Sequence, residues 1–210
     1  MLDSVQVHKA LELTCRLHKG KTRKTGAPAV AHPFRVILIL SNYAGDDEKI
    51  YVAGLLHSAL ENRRYTYRRL VNDFGHKIAA LVKEVNSSIS PREEIFLSLP
   101  NRFFSGVGLK ANWLTRQSQV LETFSGKSDS AKLIITANKI DNLQSLIEDH
   151  AKYGDKLWRK LGIPKEHLRQ HYDQFFNLLV VSFNHPILSL YYEVQERAQN
   201  IWGKEELRKT

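Results

Sequence analysis

Val52-Ala53-Gly54-Leu55-Leu56-His57-Ser58-Ala59-Leu60-Glu61-Asn62 is the stretch whose reading decides the fold. Five apolar or glycine residues lead into a cluster of polar ones, the pattern of a buried helix with a polar end. The reading carries this helix to about Leu60. His57 and Glu61, four residues apart, then share one face. A histidine and a carboxylate projecting together from a buried helix form either a satisfied core pair or the floor of an active site. The stretch alone leaves both open.

Working outward, helical spacing recurs on either side. Val7, Ala10, Leu11, Leu13, Thr14 and Leu17 predict a first helix over residues 3–19, with Asp3 or Ser4 as its cap. Lys19 to Pro28 carries two glycines and a proline and reads as a basic loop. His32-Pro33 opens a second helix, apolar nearly all round and so expected to be central. Asn42 to Asp47 is a turn, and Arg63 to Thr66 a loop in which Thr66 caps the next helix. That helix stops at Gly75, and residues 76–85 form another. Ser87 to Gly108, with Phe96, Phe103 and Phe104, is irregular, either a surface loop or a lid over a pocket. Helices resume at 110–123 and from Ala131 to about His150, and the remainder is helical with breaks at Gly162, Pro164 and Pro186. No strand alternation, repeat or low-complexity linker interrupts this pattern. The chain reads as one all-α domain over 1–210.

Composition narrows the function classes. The 210 residues are 42% hydrophobic and 25% charged, ordinary for a globular chain. No apolar run nears the roughly 20 residues that span a bilayer, and Met1-Leu2-Asp3-Ser4 shows no signal-peptide pattern. Cys15 is the single cysteine, which excludes an intramolecular disulfide and a Cys-rich zinc site. The expectation is a cytoplasmic protein without a membrane partner. Net charge is +9, with one basic cluster at Arg16, Lys19, Lys21, Arg23 and Lys24 and another at Arg63, Arg64, Arg68 and Arg69. Such a surface attracts anions. Interleaving of Tyr65 and Tyr67 with the second cluster keeps nucleic-acid contact as a minor alternative to a solvated face.

Four segments, in order, resemble the HD-domain (p)ppGpp hydrolases of the RelA/SpoT type. Gly20-Lys21-Thr22-Arg23-Lys24-Thr25-Gly26-Ala27-Pro28-Ala29-Val30-Ala31-His32-Pro33 is similar to their "GQxRKSGxPYIxHP", and residues 53–62 to "AALLHDxxED". Phe74 to Val85 is similar to "FGxxVxxLVxxVT", and Ala131 to Leu143 to "AKLIKLADRLHNL". The resemblance covers about residues 5–150 and leaves 151–210 as C-terminal helices. It is nearest to the small single-domain alarmone hydrolases and implies an HD-domain helical bundle.

The resemblance also implies a divalent metal, usually manganese, held by the histidines of "HP" and "HD" and by two aspartates, which would polarise a phosphoryl group and activate water. His32 and His57 stand at the histidine positions. Ser58 and Asn138 stand where the aspartates belong. The "ED" pair is Glu61-Asn62, and the acids usual after "VT" are Ser87 and Ser88. Arg23 and Lys24 of the nucleotide-embracing loop survive, as does Asn142. Loss of acids with retention of basic and amide groups turns a metal site into a candidate anion site. The expected ligand set is Arg23, Lys24, His32, His57, Ser58, Asn62, Asn138 and Asn142, with no metal and no cofactor.

The leading expectation is therefore a degenerate alarmone-hydrolase homologue that binds a phosphorylated, purine-type nucleotide without efficient manganese-dependent hydrolysis. One alternative is an enzyme with a rebuilt site, either holding manganese through Glu61 or Asp141, or running metal-free chemistry with His32, His57 and Glu61 as catalytic groups. Glu61 is read as a base, a ligand or an acid paired to Arg23, pairing or substrate positioning being preferred. A third reading is a basic helical interaction protein. His18, at the end of the first helix, is read as structural.

Overall fold

The computed structural model describes residues 4–62, 65–86 and 118–203. Helix α1 (Val5–His18) begins at Ser4, whose hydroxyl accepts from the backbone N–H groups of Gln6 and Val7. The following loop folds back on itself through an isolated antiparallel bridge between Thr22 and Pro28 and backbone bonds between Arg23 and Ala27 and from Gly26 to Arg23. Helix α2 (Ala31–Leu40) follows. Helix α3 (Glu48–Leu56) is capped by Asp47, and a single 3₁₀ turn spans Ala59–Glu61. Helix α4 (Tyr67–Val85) starts at Thr66, whose hydroxyl accepts from the Arg69 N–H. Residues 118–124 are helical. Ser128 then caps the long helix α5 (Asp129–Tyr153). Helices α6 (Lys156–Leu161), α7 (Lys165–Ser182) and α8 (Ile187–Trp202) complete the chain. Among the described residues the regular structure is helical throughout, and none of these helices is long and apolar enough to cross a membrane.

Two helices organise the packing. Every residue of α3 from Ile50 to Leu56 is buried, and burying Leu55 and Leu56 contributes about 1.5–3 kcal/mol each. Helix α5 packs against α2, α3 and α4 and also against α8, so it joins the N-terminal helices to the C-terminal ones. Helix α1 lies on α3, and α7 on α8. The C-terminal helices share one apolar core with the rest: Phe175 meets Phe124 at 5.1 Å between ring centroids and Tyr191 at 5.8 Å. Trp158 stacks on Trp202 at 5.9 Å, and Trp202 lies 6.4 Å from Tyr172.

Three expectations need correction. Helix α3 stops at Leu56 with His57 as its C-cap, and the chain enters the 3₁₀ turn instead of running on to Leu60. His57 and Glu61 therefore do not share a helical face: His57 is buried and Glu61 is exposed. Helix α2 is not apolar-buried all round, since Leu38 is 61% exposed, and α3 and α5 occupy the centre. The irregular stretch Ser87 to Gly108, read as a surface loop or a lid, and the arginines Arg63 and Arg64 lie outside the described residues.

Two glycines are required by geometry. At Gly75, φ is +80° and ψ 166° in the middle of α4, a conformation open essentially to glycine alone, and it splits that helix into the two segments read from the sequence. At Gly54, a Cβ would sit 2.6 Å from Leu40 Cδ1, and Leu40 is itself fully buried. Gly75→Ala is expected to cost about 1–3 kcal/mol through backbone strain. Gly54→Ala is expected to cost about 1–3 kcal/mol through overpacking, although helix propensity alone would favour it by about 1 kcal/mol. Urea denaturation of the two variants checks both, and the sign at Gly54 decides between packing and propensity.

The core also holds two neutral histidines. Burial, reinforced by the nearby charge of His32, pushes His57 down to about 3. Burial, reinforced by Lys139, pushes His171 down to about 2. Both lie below the ordinary value of about 6.5, so the folded state binds fewer protons than the unfolded chain. Their contribution is intact above pH of about 6.5 and drains as pH falls toward the folded values, at up to about 1.4 kcal/mol per pH unit for each histidine. Urea midpoints measured from pH 7 to pH 4 should fall steeply, and His171→Gln should remove its share of the slope.

Candidate functional site

The site grows from one stripe of polar residues on α5. Asn138, Asp141, Asn142 and Ser145 recur at helical spacing and line up on one face. Asn142 Nδ2 donates to Asn138 Oδ1 at 2.9 Å. Asp141, fully buried, meets α2 through the first turn of that helix. His32 Nδ1–H donates to Asp141 Oδ2, and Arg35, three residues on, donates Nε–H to Oδ1 and Nη2–H to Oδ2 at 3.3 Å. Arg35 also reaches Ser145 Oγ at 2.9 Å. From the loop before α2, Arg23 donates to Asn142 Oδ1 at 2.6 Å and to Ser145 Oγ at 3.2 Å, and its Nη1 lies 3.6 Å from Asp141 Oδ2.

Protonation follows from this geometry. Burial pushes the Asp141 carboxyl up, but hydrogen bonds and charge from His32 and Arg35 outweigh it and hold the group below the usual carboxylate range. The hydrogen bond to Asp141 raises Arg35, against the opposing effect of burial. His57 Nδ1 lies 2.7 Å from the Gly54 carbonyl, which only accepts, so the His57 proton sits on Nδ1. Its Nε2 is then a lone pair, 3.1 Å from His32 Nε2, with the two rings edge to face. Arg35 and Arg23 place two permanent cations against the single carboxylate of Asp141, so the cluster is cationic.

The donor set does not fit the divalent cation implied by the family resemblance. A manganese-type ion favours anionic oxygen ligands. Ser58 Oγ lies 3.5 Å from His18 Nε2, and Asn138 Oδ1 is engaged by Asn142. Asp141, weighed from sequence as a replacement ligand, is instead held by His32 and two arginines. Glu61 is exposed at the end of the 3₁₀ turn, and Arg23, its expected partner, bonds to the α5 stripe. Among the described residues, no group of three or more His, Cys, Asp or Glu side chains is placed to hold a metal ion.

Beside this cluster lies a cavity of about 460 Å³. Its wall takes Arg23, Lys24 and Asn142 from the expected ligand residues and adds Lys139, His171 and Tyr172 from α5 and α7. His32, His57, Ser58, Asn62 and Asn138 are not in that wall among the described residues. The two groups meet at Asp141 Oδ2, which both Arg23 and His32 approach. The loop is latched over the cavity edge by backbone acceptors: Lys24 Nζ donates to the Leu161 carbonyl, and Tyr153 Oη donates to the Thr25 carbonyl at 2.9 Å. Sequence reasoning missed Arg35, Ser145, His171 and Tyr172. Arg35 and Ser145 were accessible as one-turn neighbours of His32 and Asp141. His171 and Tyr172 carried no signal, because only the packing of α7 brings them to the cavity.

Comparison with known proteins bears on this site. A family model for the HD domain matches residues 10–162. A GTP pyrophosphokinase of Streptomyces coelicolor is 38% identical over 80 residues, covering 38% of this chain and 9% of that protein. A guanosine-3′,5′-bis(diphosphate) 3′-pyrophosphohydrolase of Aquifex aeolicus is 38% identical over 80 residues, 38% of this chain and 11% of the enzyme. The chain thus spans only about a tenth of the length of these relatives. The solved structure of a metazoan SpoT ortholog that hydrolyses ppGpp superimposes with a TM-score of 0.68 at 22% identity, covering 94% of this chain and 97% of that one, and so shares the fold. With nearly three quarters of its length matched by the family model, the chain belongs to the HD-domain family, among relatives of the SpoT/RelA alarmone type.

Proposed function

We propose that the chain binds a phosphorylated purine nucleotide of the alarmone type in the cavity beside α5, and that it does so without a divalent metal. The observation that carries this reading is the Asp141 cluster. A buried carboxylate is matched by His32, Arg35 and Arg23, so the local excess of charge is positive where the family resemblance implies a metal with acidic ligands. Arg23 and Lys24 in the cavity wall supply cations, and Asn142 an amide, groups suited to phosphate oxygens, sugar hydroxyls and base edges. Two relatives named for synthesis or hydrolysis of guanosine phosphates support the ligand class.

A second reading rests on the His32–Asp141 contact. A buried carboxylate that orients an imidazole is the arrangement of a metal-free general base, and turnover that persists in EDTA and vanishes in His32→Gln would favour it. Turnover of ppGpp that requires manganese would contradict both readings.

Calorimetric titration with ppGpp in EDTA is the direct test and should show saturable binding. Arg23→Ala should weaken that binding about 10–100-fold, as expected for loss of a charge-assisted contact worth about 1.5–3 kcal/mol. Absence of binding by the folded wild-type chain would overturn the proposal.

Metal analysis gives an independent check. Protein purified without chelator should carry no stoichiometric manganese. The double variant Ser58→Asp with Asn138→Asp should gain manganese affinity, measurable by titration with the metal alone.

A further inference from the structure

Lys139 stands in the cavity wall and yet sits inside the core. It follows Asn138 on α5, is only 8% exposed, and nonetheless lines the cavity. Its Nζ lies 2.7 Å from His171 Nε2 and 5.5 Å from the centroid of Phe175. Lys139 is the donor in the first contact, so His171 offers the Nε2 lone pair and keeps its own proton on Nδ1. Arg23 and Lys24 stand in the same wall. The site therefore combines an amine with a neutral imidazole beside it and cationic groups able to hold an anion.

We propose that Lys139 is a nucleophilic amine that condenses with the carbonyl carbon of a small phosphorylated aldehyde or ketone bound in this cavity. The Nζ lone pair forms the new C–N bond while the carbonyl π pair moves to oxygen, which takes up a proton. Both N–H protons leave the nitrogen, the first toward His171 Nε2, and two protons reach the former carbonyl oxygen, one on addition and one on elimination. The C–O bond then breaks with departure of water while the nitrogen lone pair closes the C=N bond, so amine and carbonyl compound become imine and water with no change in redox state. Burial supports the reactivity required, because it pushes the Lys139 ammonium down to about 7 and leaves a sizeable neutral fraction near neutral pH. The phosphate of such a ligand would meet the Arg23 and Lys24 cations, which gives the anionic requirement its physical basis.

The test uses the wild-type chain with pyridoxal 5′-phosphate as the probe and cyanoborohydride as the trap, followed by peptide mapping. The expected result is one predominant adduct, on Lys139, formed about tenfold or more faster than on the exposed Lys49, which has no imidazole or cavity beside its amine. Unphosphorylated pyridoxal should label Lys139 more slowly than the phosphorylated probe. Lys139→Arg should abolish the predominant adduct while the circular dichroism spectrum is retained. Labelling of Lys24 or Lys49 with Lys139 unmodified in the folded chain would overturn the proposal. Equal rates for the two probes would overturn its anionic part. The mapping needs no variant, so a folding defect in Lys139→Arg leaves the test intact.

Discussion

The structure depends on how one carboxylate is neutralised. Asp141 has no exposed surface, and an unpaired charge in that position would carry a desolvation cost of several kcal/mol. Its two oxygens are shared among His32 and Arg35 of α2 and Arg23 of the preceding loop. The arrangement fastens the central helix to α2 and to the glycine-punctuated loop at once. Removing Asp141 would leave Arg35 and Arg23 facing each other without a counter-charge, so the cluster is coupled and its members do not act independently. Geometry around the cavity is inherited from this anchor, because Arg23 projects into the wall from the same contact.

That anchor also fixes what the two histidines are able to do. The Gly54 carbonyl sets the tautomer of His57, and Asp141 sets the orientation of His32. The pair is preorganised by its neighbours, yet the surrounding oxygen donors are a hydroxyl and a carboxamide. Their one acidic companion, Asp141, is taken up by Arg35 and Arg23, which leaves the pair little anionic oxygen to offer a hard divalent cation. Deeper in the wall, burial, reinforced by Lys139 beside it, keeps His171 neutral.

Much of the fold was legible in the sequence. Ser4, Thr66 and Ser128 sit where cap residues were expected or at the head of the predicted helix, and Gly75 marks the break between two amphipathic segments. The error at His57 has a local cause. An apolar run ending in Leu-His-Ser-Ala-Leu reads as continuous helix, but the His57 ring bonds back to the Gly54 carbonyl and the chain tightens into a 3₁₀ turn. Arg23 and Lys24 were found at the cavity because they stand in one contiguous motif, and Asn142 because it closes another. Glu61 was misplaced because its reading depended on the helical register that fails there. The pairing of Asp141 with Arg35 and the approach of α7 to Lys139 are long-range facts of packing, invisible to periodicity.

The aromatic stack at the C-terminal end has a consequence for spectroscopy. Tyr172 lines the cavity, Trp202 lies next to Tyr172, and Trp158 stacks on Trp202. Excitation absorbed by the tyrosine has an indole acceptor within one ring-to-ring step, and the two indoles are close enough to couple. Two of the three tryptophans in the chain thus form an optical channel that begins at the cavity wall. A ligand that perturbs the Tyr172 ring is thereby connected to the emission of the folded chain, without any attached dye.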